Sequence, residues 1–103
     1  MSKPEKGMAL LQEAIERIER GQEQYGTPAE MFDRVAEVWS GVLGIKVKGQ
    51  DVPRCLIGFK LVRWAITDDE DVVKDSCKDI GGYSGAGWDA RPDVPKKKGD
   101  SDG

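Results

Sequence analysis

Residues Thr27–Gly44 read TPAEMFDRVAEVWSGVLG. Thr27 can cap a helix, Pro28 suits the first helical position, where its missing N–H goes unused, and Glu30 three residues on completes a capping box. Phe32, Val35, Ala36, Trp39, Val42 and Leu43 then recur on one broad face, while Asp33, Arg34, Glu37 and Ser40 fall elsewhere. Gly44 is a natural C-terminal stop. This is an amphipathic helix with both ends marked.

Toward the N-terminus, Met8, Leu11, Ile15 and Ile18 alternate at spacings of three and four among Glu13, Glu16, Arg17 and Glu19, which predicts a helix over residues 6–24. Gly21 is its weak point, since glycine in a helix interior costs about 1 kcal/mol relative to alanine. Toward the C-terminus, Asp51-Val52-Pro53 resembles a cap with proline in the first turn and opens a third helix running to about Ile66. Apolar residues surround nearly its whole circumference, so it is expected to be the central, most buried helix or one packed on two sides. A polar turn, Thr67–Glu70, precedes a fourth helix predicted over residues 71–88, with Val73, Cys77, Ile80 and Ser84 or Gly87 toward the core. Gly81, Gly82, Gly85 and Gly87 leave two possibilities: the helix ends near Ile80, or the glycines mark close contact with another helix. From Asp89 onward, Pro92, Pro95, the Lys96-Lys97-Lys98 run and the Gly-Asp-Ser-Asp-Gly end describe a disordered tail. The expectation is one all-α domain over residues 1–88, a four-helix bundle with antiparallel neighbours, followed by a tail over residues 89–103.

The 103 residues are 38% hydrophobic and 34% charged, which suits one small domain with a modest core, so association into a homo-oligomer is expected. The chain contains no histidine. That removes the commonest general base, the Ser-His and Cys-His dyads and every imidazole zinc site, and leaves carboxylates to carry any chemistry. A net charge of −3 argues against a nucleic-acid backbone as the main partner. No apolar run approaches the length of a membrane helix, and Cys55 and Cys77, with no leader pattern ahead of them, read as reduced thiols of a cytoplasmic protein.

Asp75 and Asp79 stand four apart and share one helical face. Such a pair can bind a divalent cation with further ligands from another helix, for which Asp33 and Glu37 on the second helix are candidates; otherwise it is a solvated acidic face. Lys60 and Arg63 lie three apart on the apolar third helix and must snorkel or meet carboxylates. One reading is an internal salt bridge to Asp75 or Asp79; the other is phosphate binding, for which a guanidinium beside an ammonium is well suited. Tyr25 offers aromatic surface for stacking, Phe32 and Trp39 belong to the core, and Tyr83 follows Asp79 by one turn. The glycine-rich run from Gly81 to Gly87 lacks the Lys-Ser/Thr and the preceding strand of a phosphate-cradling P-loop.

Taken together, the Arg20–Pro28 run with its Tyr25-Gly26 turn, then Phe32, Ala36 and Trp39, then Asp51-Val52, the K-x-x-R pair Lys60 and Arg63, and the D-I-x-G-Y ending Asp79–Tyr83 resemble a family of small bacteriophage proteins. Met31 stands where that family usually has asparagine, and Gly81 replaces its alanine. The helical layout is similar to the MazG-like all-α nucleoside triphosphate pyrophosphohydrolases. The resemblance implies a nucleotide ligand, with Asp75, Asp79 and Asp33 holding Mg²⁺, Lys60 and Arg63 on phosphate, and Tyr25 and Tyr83 touching the ligand. Metal-activated water would then attack the α-phosphorus and release pyrophosphate. The alternative is a phage accessory protein without turnover, which sequesters a nucleotide signal or blocks a host defence protein.

Overall fold

A computed structural model describes residues 4–92 of the chain. They form α1 (Pro4–Tyr25), α2 (Pro28–Leu43), α3 (Asp51–Ala65) and α4 (Glu70–Asp89), with no strand among the described residues. The domain is all-α, as the periodicity predicts. The tail expected from Asp89 on begins instead with the last residue of α4 and a turn, and residues 93–103 lie outside the described part.

The helix ends follow local chemistry. Thr27 accepts from the Glu30 amide at 3.3 Å and donates to the Glu30 carboxylate at 3.0 Å, while Gly26 and Gly44 take the positive φ values, 90° and 70°, that end α1 and α2. Ser40 closes the next connection by accepting from the Val47 amide at 2.8 Å and donating to the Val47 carbonyl. Asp69 caps α4 through the amides of Asp71 and Val72. Asp51 corrects its expected role: Gln50 holds the cap position of α3 without a side-chain bond, and Asp51 reaches back to accept from the Lys48 amide at 3.0 Å.

The central helix is α4, and α3 takes the other expected place, packed on two sides by α4 and α2. α1 and α3 flank it, and α2 lies on the seam between the start of α3 and the end of α4, where Phe32, Ala36, Val52 and Ala86 form the core. α3 buries only Val52 and Pro53, and its Phe59 and Val62 are more than half exposed; on α4, Ser84 is exposed and not turned to the core as expected, while Gly87 meets Pro53. An apolar circumference identified what calls for burial without identifying what covers it.

The glycines of α4 explain its position. A Cβ at Gly81 would meet Leu11, at Gly82 Ala14 and at Gly85 Ile18, all on α1, while a Cβ at Gly87 would stand 3.3 Å from the Pro53 ring on α3. α4 therefore runs unbroken to Asp89, and the missing side chains admit a neighbour on each side. The paired numbers run in the same sense along α1 and α4, so those helices are parallel. α3 and α4 pair Pro53 with Gly87 and Lys60 with Asp79, so they are antiparallel.

Candidate functional site

One side of α4 carries Asp75, Asp79 and Ala86, spaced to share a face. Asp79 is the focus of that face. Arg17 from α1 donates to its Oδ1 at 2.5 Å, and Lys60 from α3 reaches its Oδ2 at 2.8 Å. The Asp79 side chain is 10% exposed and that of Lys60 13%, whereas Arg17 remains half in solvent. Two cations on one carboxylate leave the cluster net positive. One turn earlier, Lys74 and Lys78 stand 3.7 and 3.6 Å from the Glu13 carboxylate of α1 and extend the cationic edge.

Beside this cluster lies a groove of about 210 Å³ between α1 and α4, closed at one end by the start of α2. Its floor is apolar, built from Ile18, Phe32 and Ala86 and kept low by Gly21 and Gly82. Tyr25 and Tyr83 line it, and Arg17, Lys78 and Asp79 stand along its polar edge. The α1 stripe that meets the α4 glycines places Arg17 on the groove side, because Arg17 flanks Ala14 and Ile18 by about a quarter turn.

The residues singled out in the sequence separate into those the fold brings here and those it does not. Asp79, Tyr25 and Tyr83 meet at the groove, and Lys60 holds Asp79 from the far side, as the internal salt bridge weighed for it requires. Asp75 is half-buried one turn away, and no cation stands within salt-bridge distance of it among the described residues. Arg63 is exposed, with its guanidinium 6.0 Å from the Phe59 ring centre. Asp33 stands elsewhere: its carboxylate packs against Gly49 in the α2–α3 connection, where any Cβ would collide with it. Asp75, Asp79 and Asp33 are thus not brought together, and no group of three or more cysteine or carboxylate side chains among the described residues is placed to hold a metal. Among the described residues, these side chains do not fit a resident magnesium ion, since both oxygens of the best-placed carboxylate already face cations.

Arg17, Lys78 and Glu13 escaped the sequence reading. They look like ordinary members of polar helix faces, and only the docking of α1 on the α4 glycines turns them toward Asp79.

The family model described as a domain of unknown function, DUF6378, matches residues 9–91. That span includes most of α1, all of the other helices and the whole groove, and the chain belongs to this family. No curated protein and no solved structure matches the chain. No helix among the described residues is long and apolar enough to cross a membrane.

Proposed function

We propose that this member of the DUF6378 family is a binding protein that holds a nucleotide, as a class of small phosphorylated aromatic molecule, without turning it over. The observation that carries the reading is the groove in which Tyr25 and Tyr83 accompany an apolar floor while Arg17 and Lys78 stand at the edge. Its volume suits one heteroaromatic ring, with the phosphates lying outside it along the cations. Stacking on a tyrosine stabilises a base by about 1–3 kcal/mol. A phosphate can take the Arg17 guanidinium from Asp79, because Lys60 continues to neutralise that carboxylate. The reading suits a cytoplasmic accessory protein that sequesters a phosphorylated signal. On this view any kinship with the MazG-like enzymes lies in the ligand, because among the described residues Asp33 stands apart from Asp75 and Asp79, which the resemblance would join on a metal.

The test is incubation of the purified protein with ribo- and deoxyribonucleoside triphosphates, with and without Mg²⁺, following thermal stabilisation and pyrophosphate release in parallel. Stabilisation without release, retained without Mg²⁺ and weakened about tenfold or more in Tyr83→Ala, is the expected result. Magnesium-dependent release would replace binding with the pyrophosphohydrolase reading. Absence of both responses across the panel would overturn the nucleotide assignment and direct the search to protein partners.

A further inference from the structure

We infer that the groove prefers a nucleotide with a single phosphate over the corresponding triphosphate, and that Glu13 sets this limit; the inference rests on the nucleotide reading above. Ala14 to Tyr25 is the stretch of α1 along the groove, and Tyr25 marks the end that meets Pro28 and Phe32 of α2. Arg17 lies more than two turns before Tyr25, about 12 Å back along the helix axis. A ring stacked against the tyrosines therefore directs its phosphate toward Arg17 and Lys78, which line the groove from α1 and α4. Glu13 and Lys74 stand one turn further along those two helices, about 6 Å beyond, outside the groove lining.

The two positions offer an anion different partners. At the first, Arg17 presents a guanidinium that is half in solvent, and Lys78 an ammonium on a side chain that is 16% exposed. At the second, the Glu13 carboxylate already faces both lysines, with Oε1 3.6 Å from Lys78 Nζ and Oε2 3.7 Å from Lys74 Nζ. Asp75, one turn before Asp79 on the same face of α4, brings another carboxylate toward that end. A phosphate monoester carries a charge of about −1.5 to −2 at pH 7, which matches the guanidinium and ammonium of the first position. The first phosphate of a triphosphate carries a single charge, and the phosphates that follow it are sent toward Glu13 and Asp75. Like charges about 4 Å apart near a protein surface repel strongly enough for a preference of about tenfold. A triphosphate still enters by its ring and first phosphate, so it binds more weakly and is not shut out.

Isothermal titration of the full chain with the 5′-monophosphates and 5′-triphosphates of the common ribonucleosides, with and without Mg²⁺, tests this beside Glu13→Gln. Each pair shares its base, so the ratio of affinities reports the phosphates alone. The Glu13 side chain is 45% exposed and glutamine keeps its length, so the fold is retained, which unchanged helical circular dichroism checks. The expected result is a monophosphate held about tenfold tighter than its triphosphate by the wild type, and a ratio that falls to about threefold or less in Glu13→Gln. A purely structural role would lower the thermal midpoint of Glu13→Gln and leave the ratio unchanged, which would overturn the inference. A triphosphate bound as tightly as the monophosphate, either without Mg²⁺ or through Mg²⁺ bridging its phosphates to Glu13 and Asp75, would also overturn it while leaving the nucleotide reading in place. Binding of neither form would end the nucleotide reading itself, and the inference with it.

Discussion

Asp79 ties three helices through one side chain, and its partners are unequal in burial. Lys60 is nearly covered, so removing the carboxylate strands a charge that water reaches poorly; Arg17 is half in solvent and can rehydrate. Asp79→Ala is therefore expected to lower stability by about 2–3 kcal/mol, and Arg17→Ala by less than about 1 kcal/mol. Lys60→Met falls between them, because Asp79 keeps Arg17 and the new side chain fills the same space. Urea midpoints at unchanged slope read these differences, and an Arg17→Ala cost equal to that of Asp79→Ala would show that Arg17 is the main anchor. Half of this tie was legible in the sequence: a cation on an apolar helix must find a carboxylate, and Asp79 was one of two candidates for Lys60. Arg17 was not legible, because nothing local to α1 says which of its polar flanks will meet another helix. Tyr25 and Tyr83 could be nominated as aromatic surface, yet their convergence depends on the packing of two helices that carry them 58 positions apart in the chain.

At the level of the elements, local signals and contact signals had different fates. α2 could be bounded to the residue because Thr27, Pro28, Glu30 and Gly44 act on their own neighbours. α3 and α4 could be found but not ranked, since burial is conferred by whatever packs against a helix. The glycines of α4 show the difference and give a graded prediction. A Cβ at Gly82 would lie 3.9 Å from Ala14 and one at Gly85 3.5 Å from Ile18, ordinary contact distances, whereas one at Gly21 meets nothing within 4 Å. Gly21→Ala, Gly82→Ala and Gly85→Ala should each stabilise the protein by up to about 1 kcal/mol through helix propensity. Gly87→Ala should instead destabilise it, because the Pro53 ring at 3.3 Å has no rotamer into which to retreat. Thermal midpoints of the four variants check the ordering, and a stabilised Gly87→Ala would mean that α3 can withdraw from α4 at no cost.

For the whole molecule, the issue is how a fold with five buried hydrophobic core residues among those described is stable at all. Thr27 and Asp69 cap α2 and α4, and Asp79 holds two cations, but a helix of 15 to 22 residues owes most of its stability to an apolar face covered by a neighbour, and α1 meets α4 alone to any extent. Small size made association expected from composition; which surface would be used could not be read, because apolar residues left over after folding are defined only once the folded contacts are known. If two copies must associate to cover that surface, folding and association are one equilibrium, and apparent stability must depend on protein concentration. Each tenfold increase then adds about 1.4 kcal/mol per dimer. For two chains of 103 residues this corresponds to an increase of about 2–4 °C in the unfolding midpoint. A concentration-independent midpoint in the wild type would mean that the five-residue core and the Asp79 tie carry the fold without a partner.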